Sequence, residues 1–208
     1  MTTTTYAADR TALLIVEAYN DFMSEGGKLY EATRETAEAV GFYENMRKLI
    51  PAIRAARIQV IIVPHHRWEP GDYEGWDHPT PHQVASGKME SFAKGSWGGE
   101  WHPDFAPREG DIIIKEHWGQ SGFANTDLDF RLKQQRIVKV IVIGLLANTC
   151  IESTSRFAME LGYHVTLVKD ATAAFTKEMM RAAHELNAPT FAHAILTTAE
   201  LVAALPHG

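Results

Sequence analysis

A single cysteine, Cys150, sits in the stretch LLANTCIESTSR (145–156), directly after the apolar run KVIVIG. A lone cysteine packed as a small hydrophobe is the plain alternative to a chemical role. Two further residues bear on the choice. Glu17 falls inside ALLIVEA (12–18) and Lys115 inside DIIIKE (111–116), and each run is too apolar to leave a charge unpaired. The two could pair with each other as a structural ion pair. A thiol at a helix start, however, lies near unpaired N–H groups and the positive dipole end, which favours thiolate, and a nearby ammonium favours it further. A carboxylate beside it can take the thiol proton and later return it to a leaving amine. The same N–H groups can hold an oxyanion. Acid, ammonium and thiol together equip a site for acyl transfer to water through a thioester.

These residues can meet only if the elements carrying them converge. ALLIVEA (12–18), IQVIIVP (58–64), DIIIKE (111–116), KVIVIG (139–144) and HVTLVKD (164–170) read as strands covered on both faces, with HAILT (193–197) as a weaker sixth. Helical spacing lies between them: over 31–56, where Pro51 is expected to kink or split the helix, over 126–135, from Cys150 to Leu161 with Gly162 as its cap, and over 176–188 and 197–205. Thr197 and Glu200 have capping-box spacing. This alternation predicts a three-layer α/β/α fold with a doubly wound, mainly parallel six-stranded sheet. In such sheets ligands bind beyond the carboxyl ends of the strands, where Glu17, Tyr19, His65, His66, Lys115 and Cys150 collect.

Residues 65–110 break the rhythm. They hold four of the five tryptophans and little apolar periodicity, as expected of a functional loop or of a segment ordered by a partner chain. No linker or repeat interrupts the 208 residues, so one domain over 1–208 is expected. Hydrophobic content of 45% and charged content of 22% are ordinary for a globular chain. A net charge of −6 with no basic run argues against a nucleic-acid surface, and no apolar run suits a bilayer crossing. The polar start MTTTTYAADR lacks the apolar core of a signal peptide, and one cysteine can form neither an internal disulfide nor a multi-cysteine zinc site. A cytoplasmic location is the expectation.

Three segments then carry a resemblance. ALLIVEAYNDF (12–22), DIIIKEHWGQSGFANTDLD (111–129) and VIGLLANTCIESTSRFAMELGYHVTLVKDA (142–171) resemble, in order, the acid, lysine and nucleophile segments of the isochorismatase-like cysteine hydrolases. The resemblance spans nearly the whole chain. It implies a Rossmann-like fold, no cofactor, a homo-oligomer, and hydrolysis of a non-peptide C–N bond in a small amide, carbamoyl or ureido compound. It matches Cys150 to the nucleophile, Lys115 to the triad lysine and Glu17 to the acid, where aspartate is usual. It also implies a cis Leu145–Leu146 bond, with the N–H groups of Leu146 and Cys150 forming the oxyanion hole. Ala147 stands where threonine is frequent, and the interval from Lys115 to Ser121 is longer than the family pattern. Substrate contacts are expected from Tyr19, His65, Trp118, Ser121, Phe123 and Asn148. The Asp-x-His spacing of zinc-binding relatives is missing at His65 and His66, so no metal is expected.

Two other functions stay in view. Vinyl-ether hydrolysis of the isochorismatase type needs an acid but no thiol. A binding protein weakened as a catalyst would follow if the longer Glu17 disabled the site.

Overall fold

The computed structural model describes residues 4–206; residues 1–3 and 207–208 of the expected domain lie outside the described residues. Six strands, β1 (Thr11–Val16), β2 (Gln59–Val63), β3 (Ile112–Ile113), β4 (Lys139–Leu145), β5 (His164–Ala173) and β6 (Ala194–Leu196), form one sheet in the order β3-β2-β1-β4-β5-β6. All five strand pairings are parallel. Every residue of β1 is buried, which is why its sequence is a continuous apolar run without alternation. The chain winds outward from β1 to β3, returns to lay β4 beside β1, and winds out again to β6. The switch point therefore lies between the carboxyl ends of β1 and β4, where an α/β sheet opens a crevice.

Helices cover both faces. On one, Leu13 and Ile15 of β1 join a core with Phe42, Met46 and Leu49 of α3 (Phe42–Ala55). On the other, Leu14 and Val16 pack with Leu128 and Leu132 of α5 (Leu128–Gln134) and Ala158 of α6 (Glu152–Glu160). The period-2 strand geometry thus feeds two cores from one strand. The predicted 31–56 helix breaks at Gly41 and not at Pro51: α2 (Tyr30–Val40) ends on Gly41, whose φ of 68° lets its N–H close on the Ala37 and Glu38 carbonyls. Pro51 sits exposed inside α3, so the backbone bond it removes faces solvent.

The irregular 65–110 segment contains a helix that periodicity missed. α4 (Pro81–Met89) starts at a capping box between Thr80 and Gln83 and fully buries none of its residues, so it has no apolar stripe to read. Two short helices complete the surroundings of the site: α1 (Asn20–Met23), immediately after β1, and α7 (Lys177–Arg181), which runs on into a π-helical stretch, Ala182–Asn187. The final helix, α8 (Thr198–Ala204), has the expected Thr197–Glu200 capping box. Among the described residues, no helix is long and apolar enough to cross a membrane.

Candidate active site

The crevice is built by two strands forced close together. Gly144 of β4 has φ 114°, and a Cβ there would stand 2.2 Å from the Val16 carbonyl oxygen of β1. Glycine is required both for that backbone conformation and for the approach. The β4–β5 register shifts between Val142 and Gly144, and the Leu145–Leu146 bond that follows is cis, as the resemblance implies. A π-helical turn, Ala147–Ile151, then carries Cys150 into α6. Across the crevice, Glu17 leaves β1 with φ 57° while its N–H still bonds the Val63 carbonyl at 3.0 Å. A non-glycine residue held in the left-handed region stores strain of about 1–3 kcal/mol, which the surrounding packing must hold in place.

Glu17 and Cys150 meet. Both are buried, the carboxylate charge acts on the thiol, and the Thr149 hydroxyl donates to the sulfur at 3.8 Å. Burial pushes the Cys150 thiol well above its ordinary range, and the adjacent carboxylate charge pushes it further. The resting sulfur is therefore protonated. The thiolate expected from a helix start and a nearby lysine does not form at rest, because desolvation outweighs the dipole and Lys115 is not beside it. Burial would also raise the Glu17 carboxyl. The His117 hydrogen bond, the charges of His65 and His117 and the thiol outweigh that, so the carboxyl lies below its usual value.

Lys115 is not in the crevice. It is exposed, and its backbone N–H donates to Asp127 Oδ1 at 2.8 Å. The side chain beside Glu17 is His117, fully buried, with Nε2 3.3 Å from Glu17 Oε1. The reason is local geometry. Ile62 pairs with Ile113, and the next bridge joins His65 to His117. That bridge lies three residues on along β2 but four along β3, so a bulge inserts one residue and changes which side chains turn inward. His117 Nδ1 lies 3.0 Å from the Gly119 carbonyl, which can only accept, so Nδ1 carries a hydrogen. Nε2 and Oε1 meet off the ideal line and have no other partner.

A cavity of about 150 Å³ opens above Cys150. Glu17, His65 and Leu146 line it. His65 is buried, which lowers its imidazole, and its Nδ1 is 2.8 Å from the His66 carbonyl. The other expected substrate contacts lie elsewhere. Tyr19 is fully buried behind His65, donating to the His65 carbonyl at 2.9 Å and stacking on Trp101. Trp118 stacks on His66 with ring centroids 3.5 Å apart, drawn away from the cavity by that contact. Ser121 accepts from the Phe123 N–H, and Phe123 packs against Phe157 and Tyr163 in the opposite-face core. Asn148 is outside the lining, its Oδ1 buried without a partner. Sequence reasoning missed His117, for which the long Lys115–Ser121 interval was the signal. It also missed Phe22 of α1, Met89 of α4, and Phe92 and Phe175 in the loops, for which there was none.

Three comparisons place this geometry among known proteins. The model of the Isochorismatase domain matches residues 11–200. A ureidoacrylate amidohydrolase of Yersinia enterocolitica is 30% identical over 197 residues, 89% of this chain and 85% of that protein. The crystal structure of a cysteine hydrolase from Pseudomonas syringae pv. phaseolicola superposes with a TM-score of 0.80 at 28% identity, covering 99% of this chain and 98% of the other. An N-carbamoylsarcosine amidase from Thermoplasma acidophilum gives a TM-score of 0.66 at 26% identity, covering 91% and 96%. With a parallel sheet wound from one central crevice and a thiol facing an acid inside it, the chain belongs to the Isochorismatase domain family.

Proposed function

We propose that this protein is a cysteine hydrolase that cleaves the C–N bond of a small amide, carbamoyl or ureido compound, with Cys150, Glu17 and His117 as its working group. The observation that carries the reading is a buried thiol and a buried carboxylate, Cys150 and Glu17, lining one cavity. As the sulfur attacks the substrate carbonyl, Glu17 takes its proton. The N–H groups of Leu146 and Cys150 hold the oxyanion. Protonated Glu17 then passes the proton to the leaving nitrogen, the C–N bond breaks, and a thioester remains. Water attacks the thioester carbonyl, giving one proton to Glu17. The sulfur leaves and recovers that proton, and the acid product departs.

His117 acts as a positioning residue behind the base. It keeps a buried carboxyl ionised and holds it against the thiol, the role the resemblance assigned to a lysine. The cavity side of the site stays free of a cation. A binding protein with a disabled acid would not need the thiol–carboxylate contact. Ether hydrolysis would leave Cys150 without a task.

We read the setting as cytoplasmic, from the single cysteine, and the assembly as a homo-oligomer. Trp76 and Trp97 in the 65–110 segment are 41% and 50% exposed, which supports a partner covering that face. The test of function is ammonia release across small amides, carbamoyl compounds and ureas, with Cys150→Ala as control. Release by the wild type and its loss in the variant are expected. Equal release by both would end the thioester reading.

A further inference from the structure

The cavity over Cys150 has walls of one character and polar groups of another. Phe22, Leu29, Met89, Phe92 and Phe175 are among its lining residues, and among the described residues no lysine or arginine lines it. Cations on neighbouring segments are engaged or outside. Lys28 Nζ donates to the Glu90 carbonyl at 2.7 Å, Arg67 Nε binds Glu116 at 2.6 Å, and Lys88 is exposed and outside the lining. The charge on the lining is the Glu17 carboxylate, whose partner His117 lies behind it, Nε2 3.3 Å from Oε1 and outside the lining. The His65 Nδ1–H is spent on the His66 carbonyl, which leaves Nε2 as an acceptor on a lining residue. Hydroxyls of Ser86, Ser91 and Thr149 complete the polar set, with His82 on the exposed rim of α4.

Such a site selects by charge and by hydrogen count. A carboxylate on the substrate would enter an apolar cavity that already holds Glu17 and would find no counter-ion, and a buried unpaired charge beside a like charge is strongly disfavoured. Two acceptors on one cavity lining suit the two hydrogens of a primary amide nitrogen. An apolar cavity of about 150 Å³ accommodates a group the size of benzene.

We propose that the substrate is an uncharged primary carboxamide bearing a compact apolar group, and that carboxylate-bearing amides and ureido acids are excluded. This rests on the amidohydrolase reading above and narrows it. It also separates this chain from the ureidoacrylate amidohydrolases it is similar to, since ureidoacrylate carries a carboxylate.

The decisive pair is 4-methylpentanamide and succinamate, which share their heavy-atom skeleton and differ by an isopropyl against a carboxylate. Ammonia release by the full chain at pH 8 should favour 4-methylpentanamide by at least about 100-fold in kcat/KM. Calorimetry with Cys150→Ala should show the same compound bound at least about 10-fold more tightly. Met89→Arg, at an exposed helix position facing the cavity, should shrink the kinetic ratio about 10-fold by supplying the missing cation. Succinamate processed or bound as well as the neutral amide overturns the proposal and leaves the amidohydrolase reading intact. Binding of 4-methylpentanamide without hydrolysis by the wild type supports the selectivity and overturns the reaction. Neither bound nor hydrolysed overturns the proposal.

Discussion

The centre and the edge of the sheet deliver their site residues differently. At the centre, β1 and β4 are locked by six register pairs, and the residues that leave their ends, Glu17 and Cys150, stand where their sequence positions imply. At the edge, β3 is held to β2 by two pairs, and the residue that reaches the site is His117 instead of Lys115. A long, doubly buried pairing leaves no freedom in which side chain points inward. A two-residue strand followed by a bulge does, and one inserted residue is enough to change the answer.

Cys150→Ala should abolish amide hydrolysis, a loss of about 10⁴-fold or more in kcat, and Glu17→Gln should cost about 10³-fold because the thiol loses its proton acceptor. Steady-state ammonia release reads both. The edge gives the sharpest contrast. His117→Ala should lower kcat by about 100-fold, whereas Lys115→Ala should change it by less than about 3-fold. The reverse ranking would restore the lysine to the site. Partial rescue by His117→Lys would show that the position needs a proton-bearing nitrogen and not a particular ring.

Two smaller effects probe what holds each region. Gly144→Ala drives a methyl into the Val16 carbonyl, whose backbone cannot move without opening the β1–β4 pairing. It should destabilise by about 3 kcal/mol or more, read as a fall in Tm. Near the edge, Glu116 accepts from the backbone and side chain of Arg67 and faces His66 at 3.2 Å. Burial would raise its carboxyl, but these hydrogen bonds and the arginine charge lower it to about 2. A carboxyl lower in the folded than in the unfolded state adds stability above its unfolded value of about 4.3, and that stability fades as pH falls through about 2. Wild type should therefore lose Tm over this acid range more steeply than Glu116→Gln. The thiol gives a last check. Burial and the Glu17 charge keep Cys150 protonated, so iodoacetamide should label it more slowly than free cysteine at neutral pH.

Much of the fold was legible because its signals are local. Runs such as ALLIV and VIVIG can be buried on both faces only in a parallel sheet, and Thr197 with Glu200 marks a helix start through bonds within one turn. The helix α4 was invisible because it buries no stripe, and the break at Gly41 lost out to the more conspicuous Pro51. In the site, Tyr19 and Phe123 lie near the reactive residues in sequence and still face away, since each is claimed by an aromatic partner from another segment. Proximity along the chain does not determine which way a ring turns.

The amino-acid sequence alone determined the strand–helix alternation, the switch point it creates and the meeting of a thiol with an acid there. Burial periodicity and strand order follow from residues close together in the chain. Tertiary structure decided that His117 and not Lys115 backs the acid, that the sulfur rests protonated, and which walls enclose the cavity. Those outcomes depend on a bulge in a weakly paired edge strand, on desolvation by distant segments, and on α4 closing over the crevice, none of which a local pattern encodes.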